Sequence, residues 1–149
     1  MLYNPRWAVR QSGLIIPHYS LAHWDAKSWP NFTPKELSCP HCGEYYDHPA
    51  FITRLQWVRT KIDAPISINS AHRCVRHNLA VGGAPLSQHK KLVTDISLRG
   101  HNRLELAAIC KAAGFLGFGY YQTFLHVDLG RRRFWYGGKL AKEAWTNAT

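Results

Sequence analysis

Phe124-Leu125-His126-Val127-Asp128 reads as a strand with two unlike faces. Successive side chains of a strand point to opposite sides, so Phe124, His126 and Asp128 share one face while Leu125, Val127 and Leu129 share the other. The aliphatic set belongs against a core, which leaves an imidazole and a carboxylate looking into a cleft. The same rule applied to Val93-Thr94-Asp95-Ile96-Ser97-Leu98 groups Asp95 with Val93 and Ser97, opposite Thr94, Ile96 and Leu98. Two neighbouring strands can thus offer Asp95 and His126 to one centre, with His89, in Ser87-Gln88-His89, swinging in from the loop before. Two imidazoles and a carboxylate from separate segments suit a catalytic zinc, whose fourth tetrahedral position is left to water. His89, Asp95 and His126 are therefore the expected metal ligands, and metal-assisted hydrolysis is the first expectation. In a chain with nine histidines, His126 alone would as readily satisfy a local hydrogen bond. The three-part pattern is what carries the reading.

The surrounding pattern is α+β. Thr33-Pro34-Lys35-Glu36 has the form of a capping box opening a short helix. Pro49 starts a longer helix in which Phe51, Leu55, Val58 and Ile62 recur at helical spacing as a buried stripe. A strand is expected over 66–70, a short helix or loop over 73–80, and a turn at Val81-Gly82-Gly83-Ala84-Pro85. Asn102 caps a further helix with Glu105 three residues on, and Gly114 ends it. Strands around 118–121, 124–129 and 134–136 complete an antiparallel sheet flanked by helices.

Four stretches occur in a telling order: Ile66-Ser67-Ile68-Asn69-Ser70-Ala71-His72-Arg73, His77-Asn78-Leu79-Ala80-Val81-Gly82-Gly83-Ala84, Ser87-Gln88-His89 through Asp95-Ile96, and Gly117-Phe118-Gly119-Tyr120 through His126-Val127-Asp128-Leu129-Gly130. In this order the chain resembles the zinc D-Ala-D-Ala carboxypeptidase and murein endopeptidase family, related in fold to the amino-terminal signalling domain of Hedgehog. Tyr19-Ser20-Leu21-Ala22-His23-Trp24 and Phe32-Thr33-Pro34-Lys35-Glu36-Leu37 are similar to its phage-type members. The resemblance implies a single zinc peptidase domain over 1–149, with residues 1–32 an amino-terminal extension packing on the core. It also implies that Arg73 binds the substrate carbonyl and stabilises the oxyanion, a task suited to a fixed, permanently charged guanidinium. Ser70 and Gln88 would line the cleft beside it. The chain departs from the family pattern in one loop, where the step from His89 to Asp95 is one residue short and Leu92 replaces glycine. Asp95 is expected to reach the metal by a tighter path.

Amide hydrolysis also needs a proton acceptor near the water. Some relatives carry an acidic residue three positions before the last histidine ligand, but Thr123 stands there. Asp128 is the better candidate for the base, its alternative role being to orient a ligand imidazole.

Composition fits one compact domain, with 46% hydrophobic residues and six tryptophans among 149 residues. No apolar run approaches the roughly 18 residues that cross a bilayer, and Leu14-Ile15-Ile16 is stopped by Pro17 before it could form a signal-peptide core. The protein is expected to be a monomer made in the cytoplasm, reaching the cell wall by phage-type release or as part of a virion. A formal charge of +10 implies an anionic partner surface. Because the charge is dispersed except at Arg131-Arg132-Arg133, itself readable as a solvated hairpin turn, peptidoglycan fits better than nucleic acid. The expected substrates are peptidoglycan stem peptides or cross-links. The alternatives are a carboxypeptidase trimming terminal D-alanine, or a non-catalytic relative that binds cell wall or an assembly partner.

Cys39-Pro40-His41-Cys42 forms a single CxxC, a candidate with His72 or Cys74 for a second, structural zinc. Plain thiols or a disulfide are the alternatives. Cys110, on a helical face with Ala107 and Ala113, reads as core packing.

Overall fold

The computed structural model describes residues 13–84 and 87–149. Residues 1–12 of the amino-terminal extension, and Pro85 at the end of the expected glycine turn, lie outside them.

The chain folds as α+β around a five-stranded sheet. Strand β1 (Leu14–Ile16) pairs with β2 (Tyr45–Asp47) in a small antiparallel sheet. Helix α1 (Pro49–Ile62) follows, its first turn held by Pro49 and by His48 Nδ1, which accepts from the Phe51 amide at 3.2 Å. Then come β3 (Ile68–Ser70), α2 (Val75–Ala80), β4 (Val93–Ser97), α3 (Arg103–Ala112), β5 (Gly117–Tyr120), β6 (Phe124–Asp128), β7 (Arg133–Tyr136) and α4 (Lys139–Thr146). The large sheet has the order β3-β4-β6-β5-β7.

Its outer strand departs from the antiparallel expectation, because β7 runs parallel to β5. After β6 the chain turns through residues 129–132, passes the start of β5 and adds β7 on the far side. Gly117 consequently lies between Asp128 on one side and Arg133 on the other. A single period-two pattern does not distinguish the two directions, so this crossing was invisible in the sequence.

The core forms where α1 and α3 meet the sheet. Phe51, Leu55 and Val58 of α1, Leu106 and Cys110 of α3, and Ile96, Phe118, Leu125 and Val127 of the strands are all buried together. Each large apolar side chain so removed from water contributes about 1.5–3 kcal/mol. Leu125 and Val127 take the core side of β6 as their alternation requires, and Cys110 packs among apolar neighbours that push its thiol up to about 12. Helix α3 is capped by Asn102, whose Oδ1 accepts from the Glu105 amide at 3.0 Å. The capping box at Thr33 forms both reciprocal bonds, Thr33 N to Glu36 Oε1 at 2.8 Å and Glu36 N to Thr33 Oγ1 at 3.3 Å, yet it opens only a turn. Cys39 bonds to Glu44 before a helical period can develop, which closes the segment on itself. Helix α4, with Ala141 and Trp145 buried, went unread in the sequence.

Candidate metal centre

β4 and β6 pair with Asp95 directly opposite His126. Cross-strand partners stand side by side on one face, so this register brings a carboxylate and an imidazole together without help from any loop. His89 arrives on a 3-10 turn, Gln88–Lys90, just before β4. Asp95 then bridges both rings: its Oδ1 lies 2.9 Å from His126 Nδ1 and its Oδ2 lies 3.1 Å from His89 Nε2. All three residues are buried.

The remaining ring nitrogens are each spoken for. His89 Nδ1 donates to the Ala71 carbonyl at 2.6 Å, which leaves Nε2 to face Asp95. His126 Nε2 lies 2.7 Å from Asp128 Oδ2, which leaves Nδ1 for the same centre. Partners of this kind fix ring orientation and the coordinating nitrogen in histidine metal sites. The donor atoms of His89, Asp95 and His126 lie within 4.8 Å of one another. Bonds of 2.0–2.1 Å in a tetrahedron place donors roughly 3.3 Å apart, close to the spacings seen across Asp95. The donor set, its burial and its outer hydrogen bonds therefore fit zinc. The short loop is accommodated because Leu92 turns into the core, 4% exposed, and delivers Asp95 to the register opposite His126.

Protonation follows the same contacts. Burial pushes the Asp95 carboxyl up, but hydrogen bonds from His126 and His89 outweigh it and hold the group below the usual carboxylate range. Burial likewise pulls His126 down, and Asp128 and Asp95 reverse this, so its ring binds a proton more tightly than an ordinary histidine.

Asp128 meets His126 on the ring nitrogen away from Asp95. It is fully buried, and its oxygens take Arg133 Nη1 at 2.8 Å, Arg133 Nη2 at 2.8 Å, the Gly130 amide at 2.9 Å and His126 Nε2. No face of it is left for water. Despite the cost of burial, the His126 and Arg133 contacts hold its carboxyl far below the ordinary value. Arg133 thus corrects the reading of the arginine run as a plain solvated turn. An aspartate followed five residues later by an arginine, around a turn with Gly130, is the signal that was available.

Arg73 lies at the edge of the centre, its amide donating to the His89 carbonyl at 2.6 Å and its Nη2 to Ser87 Oγ at 3.3 Å. Its Nε is buried without a hydrogen-bond partner among the described residues. Burial lowers the guanidinium pKa, against which Asp95, Cys39 and Tyr121 act. Ser70 stands opposite Asp95 on β3, where a register shift after Ile68 turns the strand. Gln88 borders Gly130. Two neighbours were missed: Trp135, whose ring centroid lies 5.0 Å from that of His126, and Tyr121, whose hydroxyl accepts from Trp135 Nε1 at 2.9 Å. Trp135 is in register with Gly119, itself opposite His126, so only the parallel β5–β7 pairing reveals it.

The sequence pattern of the family Peptidase M15 matches residues 30–128, a stretch that contains all three donors and Arg73. The chain belongs to the Peptidase M15 family. No curated protein matches it. Among the described residues, no helix is long and apolar enough to cross a membrane.

Proposed function

We propose that this peptidase is zinc-dependent and hydrolyses peptidoglycan stem peptides or cross-links, with His89, Asp95 and His126 as the zinc ligands. The observation that carries the reading is the Asp95 carboxylate set between His89 Nε2 and His126 Nδ1, with both outer nitrogens fixed by other groups. Zinc in such a site supplies Lewis acidity toward a peptide carbonyl and toward water. Arg73 brings a fixed cation with an unused buried donor to the rim, suited to the carbonyl oxygen as negative charge develops. Asp128 is a positioning residue that acts through His126, and Ser70 and Gln88 line the approach. The +10 charge favours encounter with the anionic envelope that surrounds such peptides. A role as a phage endolysin or virion-associated lysin rests on the likeness of residues 19–24 and 32–37 to phage-type sequences.

Incubation of the purified protein with defined muropeptides, followed by mass analysis of the products, tests the substrate. Cross-linked dimers falling to monomers identify an endopeptidase. Loss of a terminal D-alanine alone identifies a carboxypeptidase, and intact muropeptides after prolonged incubation contradict both.

A further inference from the structure

A second group of metal-ligating side chains lies outside the peptidase centre. Cys39, His41, Cys42 and Cys74 bring three sulfurs and one imidazole nitrogen within 4.8 Å of one another. Cys74 Sγ is 3.8 Å from His41 Nδ1, and the His41 ring is backed by the His77 ring at 5.9 Å between centroids, 10° from parallel. The sulfurs carry no disulfide.

The local backbone is shaped for this gathering. Residues 40–42 form a turn closed by the Gly43 amide donating to the Cys39 carbonyl at 2.8 Å, and by the Cys39 amide donating to the Glu44 carbonyl at 2.8 Å. Gly43 takes a φ of +81°, and a Cβ there would run into the His18 ring, so glycine suits the turn on both counts. The backbone amides of Cys74, His41 and Cys42 hydrogen-bond to the Cys39 sulfur. Amides aimed at a cysteine sulfur within a CxxC turn are what a thiolate ligand requires. Cys74 comes from a distant part of the chain, at the residue after Arg73.

We propose that Cys39, His41, Cys42 and Cys74 bind a structural zinc ion, which ties the 39–43 turn to the segment that carries Arg73. Three cysteines and one histidine complete a closed tetrahedral set, and zinc–sulfur bonds of 2.3 Å place neighbouring donors roughly 3.6–3.8 Å apart. His72, the other candidate for the fourth position, is excluded because its Nδ1 donates to the Lys91 carbonyl at 2.6 Å and its Nε2 lies against Glu44 Oε1 at 2.8 Å. Binding releases the thiol protons. Because the site offers no open position, it serves architecture: it fixes residues 71–74, from which Ala71 orients His89 and Arg73 reaches the rim.

The test uses the full chain, purified under reducing conditions and equilibrated with zinc alone. X-ray absorption at the zinc edge is expected to show sulfur neighbours at about 2.3 Å. A mercurial reagent should release one zinc per chain. His126→Ala should retain that sulfur-bound zinc whatever becomes of the peptidase centre, which separates this proposal from the catalytic reading. Cys42→Ser, at an exposed ligand, should lose it, keep the other zinc and unfold at lower temperature. Wild-type protein with no sulfur around its zinc overturns the proposal. So does a mass deficit of two hydrogens that persists in reductant and marks a disulfide among these cysteines.

Discussion

Arg133 places Nη1 and Nη2 each 2.8 Å from the two oxygens of Asp128, and it does so across Gly117, the residue that separates their strands. The pair closes the crossing from β6 to β7 and, through Asp128, sets the ring of His126. One contact thus links the topology of the sheet edge to the geometry of the candidate metal centre.

Arg133→Met should destabilise the fold by about 3–5 kcal/mol, because it leaves the fully buried Asp128 without its cation. Adding Asp128→Asn should recover part of that loss, since the coupled groups are not additive. Urea unfolding of the two single variants and the double variant measures the coupling. Equal and additive effects would mean that the pair is not a unit.

Gly117→Ala should cost about 1–3 kcal/mol. A Cβ there would run into Asp128 Oδ1 and Arg133 Nη1 on either side. Gly82→Ala is the contrasting case: among the described residues its Cβ meets nothing within 4 Å, and the penalty comes from a φ of +72°. Thermal unfolding should show the Gly117 variant losing zinc affinity as well, whereas the Gly82 variant should keep it.

Arg73→Ala should lower kcat by roughly 10²- to 10³-fold, the usual cost of removing one donor to a developing oxyanion. Zinc content should not change, because Arg73 donates to no metal ligand side chain among the described contacts. A KM change with kcat intact would assign Arg73 to ground-state binding instead.

Acid and base act on the centre in opposite senses. Asp128 and Asp95 are held below the unfolded value of about 3.9, so their stabilisation is present above that pH and is lost as the pH falls through their folded values. His126 is held above its unfolded value of about 6.5. Its contribution to the metal-free protein is therefore complete below that pH and is lost as pH rises through the folded value. Zinc needs the same Nδ1 free of its proton, so zinc affinity rises over the range in which metal-free stability declines. Melting of chelated and zinc-loaded protein from about pH 6 to 8 should show the two curves diverging. Parallel curves would place the zinc elsewhere.

The parts of the fold that were legible in sequence were those set by short-range alternation. Leu125 and Val127 against His126 and Asp128 defined β6, and the Phe51, Leu55, Val58 stripe defined α1. The gathering of His89, Asp95 and His126 could be read because each sits in a strand or beside one. What escaped depended on which strand lies next to which. The parallel addition of β7 put Trp135 near His126 and Arg133 against the buried Asp128. His72 and Cys74 looked equivalent as partners of Cys39 and Cys42 until Glu44 and Lys91 were seen to occupy the imidazole.

The most direct test of the account is removal and return of metal at His89, Asp95 and His126, read by muropeptide cleavage. Cleavage should vanish when a chelator strips the protein and return as zinc is restored, while folded His126→Ala should hold one zinc fewer than wild type and cleave nothing. Undiminished cleavage by metal-free protein, or unchanged zinc content in His126→Ala, would contradict it.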